Sequence, residues 1–313
     1  MPEVEILMAG AYPEWDMVDL EAKYRIHRLW EAADRQELIA RVGGNIRAIA
    51  TRGELGASAE LMKQLPKLEI VSCYGVGTDA IDLSYARANG IRVTNTPDVL
   101  TEDVADIAIG LLLATARQIP QADTFVRTGQ WGNVPMPLVT RVAGKKVGIV
   151  GMGRIGKAIA KRAAAFGCEI AYFTRNEHKD VAYAYQPDLI ALADWADFLI
   201  VIVPGGEATL KIIDAPVLKA LGSNGMLINV SRGTTVDEEA LIAALQNRTI
   251  QAAGLDVFLN EPKIDARFLT LPNVVLQPHH GSGTIETRKA MGQLVRDNLA
   301  AHFAGRALPT PVV

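Results

Sequence analysis

Three segments of the sequence carry side chains that could act in acid–base or anion chemistry. Arg232 lies in NVSRG, Glu261 lies in GLDVFLNEP, and His279 and His280 lie in LQPHHGSG. An arginine can clamp a carboxylate through paired charge-assisted hydrogen bonds. A carboxylate beside a histidine stabilises the protonated imidazole, which is then a proton donor near neutral pH. These residue types therefore suit recognition of a small acid and delivery of a proton to it.

Each of these residues also has a simpler interpretation. Arg232 could be a surface arginine in a turn, and Glu261 could be a solvated loop carboxylate. One histidine of the His279–His280 pair could merely end a strand. Taken alone, the residue types leave open which of the two rings takes part in chemistry.

The three segments share a position, because each follows a predicted strand. The carboxyl ends of parallel strands meet at one edge of a sheet, and ligands of open α/β sheets bind outside that edge. We therefore expect Arg232, Glu261 and His279 to converge on one cleft, between two domains.

A dinucleotide-binding turn stands at the midpoint of the chain, in VGIVGMGRIG. The β-branched run before Gly151 suits a buried parallel strand, and a helical pattern follows Gly156. The first glycine allows a tight turn, Gly153 lets a pyrophosphate approach the backbone, and the third lets helix and strand pack closely. The predicted cofactor contacts are Gly151, Met152, Gly153, Arg154, Ile155, Gly156, Thr174, Arg175, Asn176, Val230 and Asp256.

The end of the next strand predicts which dinucleotide is used. NAD-binding sheets usually have an Asp or Glu there that accepts a hydrogen bond from the ribose 2′-hydroxyl. This strand instead ends in Thr174-Arg175-Asn176. An arginine fork can grip a 2′-phosphate, whereas Glu177 lies past the expected strand end. We predict that NADP(H) is preferred, with NAD(H) as the alternative. Arg175 could otherwise simply extend from the sheet edge into solvent.

Strand and helix patterns alternate through both halves of the chain, so each half is predicted to form its own parallel sheet. The predicted strands span 4–8, 46–50, 68–74, 91–94, 146–150, 169–174, 198–203, 226–230, 251–255 and 274–276. The predicted helices include 59–65, 102–117 and 284–303. We expect two α/β domains of Rossmann-like or flavodoxin-like type. A dinucleotide-binding domain, 99–285, is inserted into a split substrate domain, 1–98 plus 286–313.

Bulk properties exclude several other classes of protein. The 313 residues carry a net charge of -3, so the sequence lacks the excess of basic residues expected for binding to nucleic acid or to an anionic membrane. Apolar stretches are too short to span a bilayer, the N-terminus lacks the features of a signal peptide, and we predict no metal site. The two cysteines, Cys73 and Cys168, are expected to be buried free thiols. Free thiols are typical of a reducing cytoplasm.

Taken together, these motifs resemble the D-2-hydroxyacid dehydrogenase family over nearly the whole chain. The resemblance rests on the three glycines and the ordered Arg232, Glu261 and His279 with their flanks. VTNTPDVLTEDVAD and the closing PTPVV add to it. In detail the sequence is most similar to the glyoxylate/hydroxypyruvate and hydroxyphenylpyruvate reductase branch.

The resemblance implies a role for each site residue. Arg232 binds the carboxylate and keto oxygen of a 2-keto acid, Glu261 orients and charges the imidazole, and His279 delivers the proton. Backbone N–H groups of Val76 and Gly77 in YGVGT bind the substrate carboxylate, as glycine-flanked loops can.

His280 stands where relatives commonly have an apolar residue. We expect it to pack or support the site, with His279 facing the substrate. Trp131 resembles a tryptophan that reaches a neighbouring subunit's active site in a homodimer. A core tryptophan within one subunit is the alternative.

The expected activity is NADPH-dependent reduction of a small 2-keto acid to the D-2-hydroxy acid. Two alternatives remain open: a nucleotide-sensing regulator on the same scaffold, and an NAD-dependent D-2-hydroxyacid dehydrogenase working oxidatively.

Overall fold

The computed structural model describes residues 4–313. In chain order, the strands are β1 Glu5–Met8, β2 Arg25–Arg28, β3 Ile46–Arg52, β4 Ile70–Tyr74, β5 Arg92–Thr94, β6 Lys146–Val150, β7 Glu169–Phe173, β8 Ala184–Tyr185, β9 Phe198–Val201, β10 Met226–Asn229, β11 Ala252–Leu255 and β12 Val274–Leu276.

The α-helices are α1 Glu14–Glu21, α2 Arg35–Val42, α3 Ala59–Lys63, α4 Leu83–Ala88, α5 Thr101–Arg117, α6 Ile119–Arg127, α7 Arg154–Ala165, α8 Leu189–Trp195, α9 Ala215–Leu221, α10 Glu238–Gln246 and α11 Ile285–Phe303. Short 3-10 turns occur at Gly43–Asn45, Gln130–Gly132, Glu207–Thr209, Gly233–Thr235 and Ala266–Thr270.

The chain divides into two units, one formed by Met1–Leu100 with Ser282–Val313 and the other by Thr101–Gly281. The boundaries predicted from the sequence fall at 98/99 and 285/286. In the structure the second unit is one continuous segment, whereas the first is formed by segments from both ends of the chain.

The first unit contains a five-stranded parallel sheet in the order β2-β1-β3-β4-β5. This is the order of flavodoxin-like doubly wound sheets. Most residues of its interior strands are buried, and in Ile70–Tyr74 all five residues are buried. Helices therefore cover both faces of the sheet, as parallel sheets require.

The second unit contains a seven-stranded parallel sheet in the order β12-β11-β10-β9-β6-β7-β8. Read from β8, the order of its first six strands in sequence terms is 3-2-1-4-5-6, which is that of dinucleotide-binding sheets. The order reverses between β6 and β9, so the predicted dinucleotide turn after β6 lies at the topological switch point. The predicted fold class is confirmed.

Two strands were not predicted, namely β2 and β8. RIHR in β2 is largely polar, and β8 has only two residues. Both lie at sheet edges, where one side lacks a neighbouring strand and the sequence need not be apolar. Their hydrophobic signal was correspondingly weak.

Within residues 4–313, no helix is both long and apolar enough to cross a membrane. The same residues contain no group of three or more His, Cys, Asp or Glu side chains that could hold a metal ion. The thiols of Cys73 and Cys168 are both buried, and neither forms a disulfide within residues 4–313.

Candidate active site

The glycine turn after β6 has the geometry that a pyrophosphate needs. Gly151 has φ 107, which favours glycine, and a Cβ there would lie 2.6 Å from the Ile202 carbonyl oxygen. A Cβ on Gly156 would overlap the Gly151 carbonyl oxygen, so α7 packs directly on the turn. At Gly153, in contrast, no atom lies within 4 Å of an added Cβ. The two outer glycines meet packing demands, and the middle one leaves open space.

The N-terminus of α7 is open to an anion. Its N-cap is Gly153, and no side chain caps its first turn. Unpaired N–H groups and the helix dipole favour negative charge at this end. The turn therefore fits a dinucleotide pyrophosphate. Met152 is buried and Arg154 is exposed at this turn.

At the end of β7, the predicted phosphate discriminator is available to a ligand. Arg175 is exposed and forms no ion pair or hydrogen bond with any residue in 4–313. The Thr174 hydroxyl donates to the Asn176 carbonyl at 2.6 Å, across the turn that contains Arg175. Glu177 is exposed and does not pair with Arg175. A 2′-phosphate would meet an uncompensated guanidinium here.

Arg232 leaves the sheet just beyond β10, and two neighbours fix its backbone. Its carbonyl accepts hydrogen bonds from Asn229 Nδ2 at 3.1 Å and from Thr235 Oγ1 at 2.6 Å. Its Nη1 donates to the Ser231 carbonyl at 2.9 Å. Val230, predicted to contact the cofactor, is 6% exposed in the same segment. Asn229 and Thr235 were missed from the sequence, where they resemble ordinary turn residues.

Asp256, just beyond β11, holds the histidine segment in place. Its carbonyl accepts the His279 N–H at 2.7 Å. Its Oδ1 accepts the His280 N–H at 2.7 Å, and its Oδ2 accepts the Gly281 N–H at 2.9 Å. Burial raises the pKa of the Asp256 carboxyl, and these N–H donors offset that only in part. The cofactor contact predicted for Asp256 stays a prediction, and the structure adds this positioning contact.

His279 adopts an uncommon backbone conformation that these bonds maintain. Its φ is 52, in the left-handed region that costs a non-glycine residue about 1 to 2 kcal/mol. Three successive amides bound to Asp256 offset that cost. Strain of this kind concentrates at functional sites, where the surrounding structure maintains it.

The structure distinguishes the two histidines. His279 Nδ1 lies 2.6 Å from Glu261 Oε2, while the ring of His280 is exposed and makes no such contact within residues 4–313. Glu261 Oε1 accepts the Phe258 N–H at 2.8 Å, which fixes the carboxylate. The side chain of His279 is 36% exposed, and its Nε2 bonds to no residue in 4–313. Nε2 is therefore the nitrogen open to a substrate.

The electrostatics of this pair favour an ionised Glu261. Burial alone would raise the pKa of Glu261, but the hydrogen bond and charge of His279 outweigh it. The Phe258 N–H and the charge of Arg232 act in the same direction, and the pKa is lowered. Arg232, Glu261 and His279 thus belong to one electrostatic cluster in the second unit.

We expect Glu261→Gln to move the pH profile of reduction to lower pH. A carboxylate stabilises the imidazolium and an amide does not, so the proton donor would lose its proton at lower pH. The pH at which kcat/KM halves on the alkaline side should fall by about one unit or more. Steady-state rates across a pH series measure this. An unmoved profile would remove Glu261 from proton delivery.

In the first unit, the YGVGT loop presents unused amides. The Val76 carbonyl accepts from Asn95 Nδ2 at 2.8 Å, and the Gly77 carbonyl accepts from Cys73 Sγ at 3.5 Å. The N–H groups of Val76 and Gly77 donate to no residue in 4–313. With its carbonyls held, the loop fits an anion such as a carboxylate.

Trp131 is not a core residue, which corrects the alternative stated for it. It is 71% exposed in the second unit. The segment around it is also rich in exposed apolar side chains: Ile119, Val126, Val134 and Leu138. Helix α6 buries none of its residues.

Because the dinucleotide turn and the His279–Glu261 pair both follow strands of one parallel sheet, the second unit has the organisation of a nicotinamide-dependent dehydrogenase. Comparison with known families makes the class specific. Residues 109–281 match the family model described as D-isomer specific 2-hydroxyacid dehydrogenase, NAD binding domain. The chain belongs to the D-isomer-specific 2-hydroxyacid dehydrogenase family and is an oxidoreductase.

Similar proteins match along the full chain. Glyoxylate/hydroxypyruvate reductase A of Arabidopsis thaliana is 48% identical, covering 100% of both chains. Hydroxyphenylpyruvate reductase of Plectranthus scutellarioides is 46% identical over the same full lengths. The NADPH-dependent glyoxylate/hydroxypyruvate reductase of Sinorhizobium meliloti, solved with NADP and malonate, is 48% identical with a TM-score of 0.94. That match covers 99% of this chain and 97% of the other.

Proposed function

We propose that the protein reduces a small 2-keto acid of the glyoxylate or hydroxypyruvate type to the D-2-hydroxy acid, with NADPH as the working cofactor. The observation that carries the proposal is the 2.6 Å contact between His279 Nδ1 and Glu261 Oε2, which leaves Nε2 available to a substrate. The names of the similar reductases support the same class of substrate.

The second unit binds the dinucleotide through the turn from Gly151 to Gly156, and bound NADPH supplies a hydride to C2 of the keto acid. Arg232 binds the keto oxygen and stabilises the negative charge that develops there. His279 donates its Nε2 proton to that oxygen. Glu261 keeps the imidazole charged and oriented until the proton is donated.

The first unit binds the substrate carboxylate. The N–H groups of Val76 and Gly77 donate to its oxygens, and the Asn95 side chain holds the loop through the Val76 carbonyl. Two backbone donors suit an anion without selecting its side chain, so they fit any short 2-keto acid.

A panel of 2-keto acids assayed with NADPH and with NADH tests the activity. We expect oxidation of NADPH with glyoxylate or hydroxypyruvate, followed as the loss of cofactor absorbance. Cofactor binding without turnover on any 2-keto acid would instead favour a nucleotide-sensing regulator. Turnover only in the oxidative direction with NAD would favour the other alternative.

We expect Arg175→Ala to raise KM for NADPH about tenfold or more and to leave KM for NADH nearly unchanged. The variant loses one charged hydrogen bond to the 2′-phosphate, a contribution of about 1.5 to 3 kcal/mol. Arg117→Ala, at the exposed end of α5, is the matched control and should alter neither constant. Equal or better kcat/KM with NADH in the wild-type protein would contradict the NADP(H) preference.

We propose that the chain forms a homodimer through the segment around α6. Isolated exposed apolar residues are ordinary, but five large ones between residues 119 and 138, Trp131 among them, favour an interface. Sedimentation equilibrium measures the state. A monomer at micromolar concentration would exclude the dimer.

The proposed location is the cytoplasm. Both cysteines are buried and neither forms a disulfide within the described residues, as is usual where thiols stay reduced. Fractionation of the source cells with an antibody to the protein would place it, and recovery outside the cytoplasmic fraction would contradict this location.

A further inference from the structure

A second glutamate contacts the turn that carries Glu261. Glu238 stands in the first turn of α10, and its Oε1 accepts the Leu259 N–H at 2.6 Å. The N–H of Phe258, the residue before Leu259, donates to Glu261 Oε1 at 2.8 Å. Two consecutive amides of one turn are therefore held by two carboxylates, one from α10 and one from the turn itself.

The same turn also touches the segment that carries Arg232. A Cβ on Gly233 would overlap the carbonyl group of Phe258 and the nitrogen of Leu259. Only a glycine allows this approach. The chain from Arg232 to Glu238 thus meets the Phe258–Glu261 turn at two points, one by packing and one by a hydrogen bond.

We propose that Glu238 is a positioning residue for the reduction, holding the Phe258–Glu261 turn so that the Glu261 carboxylate stays on His279 Nδ1. The role rests on the proposed function. The hydrogen bond of the Glu238 carboxylate goes to the Leu259 N–H and not to His279 or Arg232. It acts through the backbone of the turn.

The charges around Glu238 explain why its hydrogen bond matters. Burial raises the pKa of Glu238, and the Leu259 N–H opposes that shift. Asp265, Glu239 and Glu261 add negative charge nearby. Asp265 and Glu239 are each paired with Arg267, and Glu261 is paired with His279. A neutral side chain that still accepts the Leu259 hydrogen bond should therefore keep the turn in the same position as Glu238 does.

Four variants test the proposal. Glu238→Ala and Glu238→Met remove the acceptor, the second with little loss of volume. Glu238→Gln keeps an acceptor without the charge. Glu239→Ala is the matched control, because this neighbouring glutamate is 75% exposed and pairs only at the surface with Arg267. Thermal unfolding identifies which acceptor-free variant is folded.

The first measurement is the NMR titration of the His279 imidazole, assigned by its absence in His279→Asn. It requires no turnover, so it is independent of the proposed function. In the acceptor-free variants the titration midpoint should fall by about half a unit or more, because the Glu261 carboxylate is less firmly held on the ring. Glu238→Gln and Glu239→Ala should match the wild type.

The second measurement is steady-state reduction of glyoxylate with NADPH. The acceptor-free variants should lose about tenfold or more in kcat with KM for NADPH unchanged, since misplacement of a catalytic group costs rate. Glu238→Gln should keep most of kcat. A midpoint in the acceptor-free variants that equals that of Glu239→Ala would overturn the proposal. So would a Glu238→Gln variant as impaired as Glu238→Ala.

Discussion

Replacing His279 with asparagine is expected to lower kcat/KM for 2-keto acid reduction by at least about a hundredfold, the lower range for loss of a positioned proton donor. His279 is the histidine paired with Glu261, and its Nε2 is open to a substrate. Asparagine is the suitable replacement because it tolerates the left-handed backbone at φ 52, so the variant tests the ring and not the fold. Steady-state kinetics with glyoxylate and NADPH measure the loss.

The control is His280→Ile, which should keep most of the activity. The contact of His280 with Asp256 uses its backbone N–H, which isoleucine retains. Near-normal rates for His279→Asn together with a collapse in His280→Ile would reverse the assignment of the two rings.

Arg232→Ala is expected to cause a loss of similar size, at least about a hundredfold in kcat/KM, or about 2.7 kcal/mol of transition-state stabilisation. The guanidinium is assigned both the keto oxygen and its developing charge, so kcat and KM should both worsen. The backbone of Arg232 is extended and held by Asn229 and Thr235, so alanine should leave the turn in place.

Arg232→Lys separates charge from geometry. A lysine keeps the positive charge but cannot form the two parallel hydrogen bonds of the fork, so its activity should lie between the wild type and Arg232→Ala. A loss of less than about tenfold in Arg232→Ala, with unchanged thermal unfolding, would show that another group stabilises the oxygen.

Much of the fold could be predicted from local pattern. Lys146–Val150 and Val274–Leu276 were placed at their observed bounds, because buried parallel strands are short apolar runs bounded by turns. The glycine turn was predictable for a similar reason. The positive φ of Gly151 and the close packing at Gly156 both favour glycine over any other residue, so the turn can be recognised from the sequence.

The roles of the site residues were predictable only in part. Arg232, Glu261 and His279 were assigned from the resemblance of their flanks to a known family, and those roles stay proposals. The choice between His279 and His280 was open in the sequence, since both are the same residue type in one turn. The contact of His279 with Glu261, 18 positions away, favours the first ring.

The sequence by itself determined the two parallel sheets, the dinucleotide turn and the family. Only the tertiary structure decided that Asp256 holds the histidine segment and that Glu238 holds the Glu261 turn. The physical reason is that both contacts span more than 20 residues. They form because parallel strands pair side by side and end at the same edge of the sheet, so that the loops after them are neighbours. In β11 and β12, for example, Leu255 pairs with Leu276. Local sequence carries no record of that pairing, and a buried acid that binds backbone amides looks the same in sequence as one that faces water.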